Sequence, residues 1–318
     1  AVYSTEDWNA KTEDEQLEAM NELWRNFCVS DAFEPGSTIK PFTVATGLDT
    51  GAIKGDETYV CGGYLHVGDW DIRCHLTSGH GTETIADAVA NSCNVALMEI
   101  AESIGVEDFI RYQHIFGFGE YTGIDLPGEK RGFIPNSKFY DKVYRGRWNS
   151  STVISIAIGQ GEILATPLQI CNLAATVANR GYYITPHVVK EIQDTPLDTL
   201  YSKRHYTSVD THYYSYIAEG MRGAVTGTAY GGTCRGAALP DIEVCGKTGT
   251  SENPHGKDHS IFMGFAPYQK PKVAIAVFVE NAGFGATYAV PIGKLMLEKY
   301  LKGEISEANK ATEEYIMN

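Results

Sequence analysis

Ser260-Ile261-Phe262-Met263-Gly264-Phe265-Ala266, a turn at Tyr268-Gln269-Lys270-Pro271, and Lys272-Val273-Ala274-Ile275-Ala276-Val277-Phe278-Val279-Glu280 give two β-rich runs joined by a few polar residues. Branched and aromatic side chains at this density suit a pleated, half-buried surface, and so short a connection makes the two runs antiparallel neighbours. Residues 243–250 read as a third strand upstream, and residues 291–301 as a closing helix able to cover one face of the sheet. Further back the apolar period becomes helical. Thr166-Pro167-Leu168-Gln169 opens a helix, with Thr as cap, Pro at the first helical position and Gln placed to return a capping bond; it runs to about Asn179 and stops at Gly181. Residues 82–104 read as helix, turn, helix, with Asn91-Ser92-Cys93-Asn94 as an exposed turn. Glu34-Pro35-Gly36 breaks the chain before a helical pattern that starts at Ser37 and carries Ile39, Phe42, Ala45 and Leu48. Residues 51–81 are glycine-rich and irregular, a loop or small hairpin with strand candidates at Tyr59-Val60-Cys61 and Asp71-Ile72-Arg73-Cys74. Leu17, Met20, Leu23, Trp24 and Phe27 recur at helical spacing, predicting an amphipathic helix docked on something larger. The class expected is α/β: an antiparallel sheet flanked by helices, with an inserted all-helical subdomain over roughly residues 51–180.

The chain's 318 residues, 43% of them hydrophobic and 21% charged, are enough to bury a large core. A formal net charge of -14 argues against a phosphate backbone as partner and favours a neutral or cationic one. No run of about 18 apolar residues occurs, and AVYSTEDWNA lacks the basic and apolar regions of a signal peptide, so the chain as given reads as soluble, in keeping with the ectodomain of an anchored protein. The seven cysteines cannot all pair, so some are core thiols or ligands.

Three short motifs bear chemistry. Ser37-Thr38-Ile39-Lys40 sets a hydroxyl and an amine one helical turn apart, and a lysine kept neutral by burial or a nearby positive charge can take a serine's proton. Ser92-Cys93-Asn94 puts a proton-relay hydroxyl and a substrate-holding amide two residues apart on a turn; its bland reading is a helix-capping turn. Lys247-Thr248-Gly249-Thr250 lies on a strand, with Lys247 supplying positive charge to lower the Lys40 pKa, Gly249 admitting another backbone, and the Thr248 and Thr250 hydroxyls binding a carboxylate. Each motif alone is weak, but this order on helix, turn and strand is the signature of penicillin-binding proteins and class A β-lactamases.

EPGSTIKPF, NSCN and CGKTGT resemble the three motifs of class B penicillin-binding proteins, and FGFGEYTGIDLPGE, IAIGQGEILATPLQ, ANRGYYITPHVVK and FMGFAPYQKPKVAIAVFVEN are similar to that family's connecting segments, almost end to end. The resemblance implies a β-lactamase/transpeptidase-like fold and an elongation-type D,D-transpeptidase inhibited by β-lactams. Ser37 would be the acyl-forming nucleophile, Lys40 its base, Ser92 a relay to the leaving group and Asn94 a substrate-positioning residue. Lys247, Thr248 and Thr250 would bind the carboxylate, with the backbone N–H groups of Ser37 and Thr250 as oxyanion hole. It also implies peptidoglycan stem peptides as substrate, an extracytoplasmic location, membrane and cell-elongation machinery as partners of the full-length protein, and no cofactor for the chemistry. Against the family pattern, the membrane anchor, dimerisation module and first sheet strands are expected to be absent, leaving a sheet edge uncovered. WNSSTVISIAIGQGE and residues 253–259 are similar to Bacteroidetes relatives, and WRNFCVS with residues 59–94 to clostridial ones, an expectation of two ancestries.

Elongation-type relatives hold a zinc ion beneath the second motif through acidic, His and Cys ligands. The separations of Cys74, His80 and Cys93 match that arrangement, with Cys61 and Cys74 standing for carboxylates, so the resemblance implies a closed, structural Zn2+ site at Cys61, Cys74, His80 and Cys93. Buried free thiols or a Cys61–Cys74 disulfide are the alternatives, and His75 is the substitute ligand. A second set, Cys234, Cys245, His255 and His259, is disfavoured in favour of a loop overhanging the cleft. The rival functions are a β-lactamase or D,D-carboxypeptidase and a non-catalytic β-lactam sensor; the roughly 150 residues between the second and third motifs favour the longer architecture, by analogy alone.

Overall fold

The computed structural model describes residues 8–67, 70–148, 150–253 and 255–317. The reading of residues 1–7, Asn149 and Pro254, and the packing of Leu23 and Trp24, lie outside the described residues. Helix α1 (Glu13–Trp24) starts behind Thr12, whose N–H and hydroxyl both donate to the Glu15 carboxylate. Its predicted apolar face is described only in part. Leu17 and Met20 are exposed while Ala19 is buried, and Phe27, also exposed, opens a separate turn capped by Asn26 Oδ1. A 3-10 turn (Gly36–Ile39) then feeds α2 (Lys40–Asp49), whose residues 40–48 are all buried.

Two small antiparallel sheets follow: β1 (Thr58–Cys61) pairs with β4 (Gly81–Thr84), and β2 (Tyr64–Val67) with β3 (Trp70–Arg73). The stretch 51–180 is therefore not all-helical. Residues 59–61 and 71–73 do sit in strands, and their partners are supplied by glycine-flanked segments that carry little apolar alternation of their own. Helix α3 (Ile85–Ala90) starts with a Thr84–Asp87 capping box, and α4 (Asn94–Ile104) with Cys93 Sγ accepting from the Ala96 N–H. Then come α5 (Val106–Ile115), α6 (Ser137–Tyr144), α7 (Ser150–Ala157) and α8 (Pro167–Ala178), the last with the expected Thr166–Gln169 capping box. A short pair, β5 (Tyr182–Ile184) with β6 (Arg204–Tyr206), leads to α9 (Tyr214–Thr226).

The main sheet is β7 (Cys245–Ser251), β8 (His259–Ala266) and β9 (Val273–Val279), antiparallel in that order, followed by α10 (Ala289–Lys302) and α11 (Lys310–Met317). Strand alternation splits the core in two. Cys245, Met263 and Phe265 join the cluster built on α2, α4, α8 and α9, while Phe262, Ile275 and Val277 join α10 residues such as Val290 and Leu297. The antiparallel sheet flanked by helices is the expected class. β7 is an edge strand, and the Gly36–Ile39 turn packs against it. No helix among the described residues is long and apolar enough to cross a membrane.

Candidate active site

Ser37 is brought to the sheet by Gly36. This residue has φ +53°, and a Cβ on it would lie 2.5 Å from the Thr250 carbonyl oxygen, so only glycine lets the helix start approach β7 so closely. The Gly36 N–H donates to the Gly159 carbonyl at 2.9 Å, and Gln160 Nε2 donates to Thr250 O at 3.1 Å, tying both sides to the loop after α7. Ser37 is half-buried and lines a cleft of about 600 Å³ together with Ser92, Asn94, Thr248, Gly249 and Thr250. Of the residues expected in the substrate cleft, Lys40 and Lys247 lie beneath its floor, both fully buried.

The second-motif turn is buried rather than exposed: Asn91, Ser92 and Cys93 are 2%, 6% and 0% accessible. Sequence composition marks it as a turn but carries no sign that its polar groups are paired inside the protein. Asn91 Nδ2 donates to Glu83 Oε1 at 2.7 Å, and Asn91 Oδ1 accepts from Thr228 Oγ1 at 2.5 Å. Ser92 has φ +57°, a conformation a non-glycine residue holds at some cost, of the kind found where a side chain must be aimed.

That aim puts the Ser92 hydroxyl between two lysines. Lys40 Nζ lies 3.1 Å from Ser92 Oγ, 2.7 Å from Ser92 O and 2.7 Å from Asn94 Oδ1. Lys247 Nζ lies 2.8 Å from Ser92 Oγ and 3.0 Å from Thr248 O. Burial lowers the Lys40 pKa to about 8, against the pull of Cys93, Cys74 and Glu83. Burial, and then the Lys40 charge, push Lys247 well below the usual lysine range. Both amines are thus lowered by burial, and Lys40 has three acceptors around its Nζ. The Ser37 hydroxyl is not among those acceptors, so helical spacing alone did not bring about the expected Ser37–Lys40 bond. Among the acceptors, only Ser92 also has a proton to give, and it touches both amines.

Thr248 and Thr250 face the cleft, but the Thr250 hydroxyl already accepts from the Gly285 N–H at 3.3 Å. The sequence reading missed this wall, formed by Phe284, Gly285 and Ala286, and it missed Gln160, Gly232 and Thr233; the signals lay in the glycine pairs of Gly159-Gln160-Gly161 and Gly231-Gly232. The loop after β7 reaches the cleft, with Glu252 and Asp258 on its lining.

Beside the second motif, Cys61, Cys74, His80 and Cys93 are all buried, and their donor atoms lie within 4.8 Å of one another. A tetrahedron with zinc–sulfur bonds of about 2.3 Å has sulfur–sulfur edges of about 3.8 Å, so the donor set fits such an ion. None of the seven cysteines is in a disulfide. The neighbouring Cys93 thiol draws the Cys74 pKa down, while Cys74 and burial push that of Cys93 up. His80 Nδ1 is 3.6 Å from Cys74 Sγ; His75, the substitute, is exposed and lines the cleft, with its Nδ1 3.9 Å from the same sulfur. Cys234 and Cys245 belong to the two separate apolar clusters and His255 is exposed, so no second set gathers among the described residues.

A serine held against an edge strand, over two buried lysines joined through a second serine, defines an active-serine acyl-transfer site. The chain belongs to the family described as penicillin binding protein transpeptidase domain, whose profile matches residues 2–298. It is 32% identical over 308 residues to peptidoglycan D,D-transpeptidase MrdA of Acinetobacter baumannii, covering 89% of this chain and 45% of that protein. To stage V sporulation protein D of Bacillus subtilis it is 33% identical over 285 residues, covering 86% and 43%. The chain thus spans a little under half the length of these relatives. Among solved structures, Pseudomonas aeruginosa PBP2 in complex with WCK 5153 superposes with a TM-score of 0.81 at 27% identity, over 96% of this chain and 66% of that one. Helicobacter pylori PBP2 in its complex with MreC gives a TM-score of 0.78 at 26% identity, over 92% and 54%. One relative aligning over 89% of the chain gives no support to separate ancestries for its halves.

Proposed function

We propose that this chain is the catalytic domain of an elongation-type D,D-transpeptidase that cross-links peptidoglycan stem peptides through a Ser37 acyl-enzyme and is acylated by β-lactams. The observation that carries the reading is the Ser92 hydroxyl shared by Lys40 Nζ at 3.1 Å and Lys247 Nζ at 2.8 Å. Ser37 Oγ attacks the carbonyl of the penultimate residue, and its proton leaves through Lys40. The oxyanion forms against the N–H groups of Ser37 and Thr250. As the carbon–nitrogen bond breaks, Ser92 passes a proton to the departing amine. The amine of a neighbouring strand then displaces Ser37 from the ester, and the hydroxyl regains its proton by the reverse route. Asn94 orients the donor peptide, Thr248 and Thr250 receive its carboxylate, and Lys247 acts from beneath the floor through Ser92 Oγ and Thr248 O.

Cys61, Cys74, His80 and Cys93 are proposed to hold a structural zinc ion, supported by the buried three-thiol, one-imidazole donor set. The ion would supply cross-linking of the strands 58–84 to the second-motif turn and no chemistry. An extracytoplasmic location and partnership with membrane-bound elongation proteins are proposed from the names of the relatives.

Intact-mass measurement after benzylpenicillin treatment tests the main reading. One long-lived adduct is expected, absent in Ser37→Ala. Labelling that survives in that variant overturns the nucleophile. Rapid loss of the adduct with continued consumption of penicillin makes the chain a hydrolase instead. Lys40→Arg is expected to be as inert as Lys40→Ala, because guanidinium keeps its proton.

A further inference from the structure

Thr250 is the last residue but one of β7, whose outer edge is covered by no other strand among the described residues, and the chain leaves the sheet after Ser251. A strand end of this kind opens easily unless something outside the ladder holds it. The Thr250 carbonyl oxygen has such a hold, accepting from Gln160 Nε2 at 3.1 Å. The oxygen of the Gln160 amide could only repel a carbonyl, so the contact needs the nitrogen. In an antiparallel strand the N–H and C=O of one residue point to the same side, so the carbonyl that Gln160 grips shares its edge with the Thr250 N–H. A Cβ built on Gly36 would lie 2.5 Å from Thr250 O and 3.1 Å from Thr250 N, which puts both atoms beside the turn that carries Ser37.

Gln160 is itself fixed. Its N–H donates to Ser155 O at 3.0 Å, and it stands between two glycines of positive φ, Gly159 at +82° and Gly161 at +83°. The Gly36 N–H donates to Gly159 O at 2.9 Å, and a Cβ on Gly159 would collide with the Gly36 carbonyl oxygen, so only glycine permits this approach. Thr43 Oγ1, in the first turn of α2, donates to Ala157 O at 2.9 Å and ties the same helix to the end of α7. The loop after α7 thus holds the residue before Ser37 through its backbone and Thr250 through the Gln160 side chain.

We propose that Gln160 is a positioning residue for the acyl-transfer step: through the Thr250 carbonyl it aims the Thr250 N–H, and with Gly159 it sets how far that donor stands from the Ser37 N–H. The inference rests on the function proposed above, in which these two N–H groups receive the oxyanion. Such donors act by being preorganised where charge develops, so loosening them weakens the transition state and leaves the ground-state complex nearly as it was.

Gln160→Met tests this, since it keeps the length and bulk of the side chain and removes the donor. Gln160→Glu keeps size and polarity but offers an acceptor where a donor is needed. Stopped-flow acylation by benzylpenicillin separates the reversible binding constant from the rate constant of the chemical step. In both variants the rate constant should fall about 10–100-fold, with the binding constant changed by less than about threefold. A peptide boronic acid, whose tetrahedral serine adduct presents an oxygen to the two N–H groups, should lose affinity by a similar factor. A Gln160→Met rate constant within about threefold of wild type, a loss carried by the binding constant, or unchanged boronate affinity overturns the role of Gln160 and leaves the acyl-enzyme reading standing. If the Met variant does not fold, Gln160→Glu decides by the same criteria. A wild-type protein that benzylpenicillin does not acylate at Ser37 overturns the reading itself.

Discussion

Lys247 Nζ approaches Ser92 Oγ to 2.8 Å, joining a strand residue to a turn 155 positions earlier in the chain. The Ser92 hydroxyl carries one proton and stands between two buried amines, which is the basis for proposing it as the relay from Lys40 to the leaving group. Ser92→Ala should lower the second-order rate of acylation by benzylpenicillin by about 10²–10⁴-fold, the usual worth of a positioned proton-transfer group. A rate within threefold of wild type would mean that Lys40 and the leaving group exchange their proton directly.

Lys40, lowered to about 8 by burial, sets the pH dependence. The form that accepts a proton is the neutral amine, which is scarce below that pKa and predominant above it. The acylation rate should therefore climb roughly tenfold per pH unit up to about pH 7 and level off above pH 8–9. A stopped-flow profile with a chromogenic cephalosporin measures it. A rate independent of pH between 6 and 9 would remove Lys40 from the role of base.

Glu34, three residues before the nucleophile, is pushed up to about 7 from 4.5 by burial first, then by the charges of Glu252 and Glu162. In the folded state it binds a proton more tightly than in the unfolded chain, so its contribution is neutral below about pH 4.5 and becomes a cost as pH rises through 7. The group is only half-buried, and solvent screening reduces the cost to the order of 1 kcal/mol. Glu34→Gln should accordingly raise the melting temperature by ~1–2 °C at pH 8 and leave it unchanged at pH 4. Thermal scans at the two pH values decide it, and an equal effect at both would assign the gain to something other than ionisation.

The main sheet and α8 were legible because their signals are local: β-rich runs with a short turn, and a capping box with proline. The three motifs of the candidate site were readable because they are short and resemble a known family, and the structure gathers Ser37, Ser92, Asn94, Thr248 and Thr250 at one cleft. What sequence could not give is pairing between distant segments. Nothing in Asn91-Ser92-Cys93-Asn94 announces burial, since its satisfaction depends on Glu83, Thr228 and two lysines from elsewhere. Periodicity records only that a face is apolar, not what it meets: Leu17 and Met20 are exposed, and Phe27 opens a separate turn.

The cysteines divide the same way, and the division is testable. Cys93 is fully buried between the two serine-motif side chains, its sulfur caps α4 through the Ala96 N–H at 3.5 Å, and it belongs to the four-residue donor cluster. Cys171 is only partly buried, its thiol donates to the Ala274 carbonyl at 3.7 Å, and it is not a member of that cluster. If the cluster holds zinc, Cys93→Ala removes a ligand and a helix cap at once and loosens Ser92 and Asn94 on either side. It should lower the melting temperature by more than about 5 °C and the acylation rate by at least about 10-fold. Chelator treatment of the wild type should act in the same direction, whereas Cys171→Ala should change the acylation rate by less than twofold. Elemental analysis of protein purified without chelator supplies the control, with one zinc per chain expected. No zinc in that sample, or a Cys61–Cys74 disulfide found by peptide mass spectrometry, would turn the cluster into a set of core thiols and leave the geometry of the turn to Glu83, Thr228 and the lysines alone.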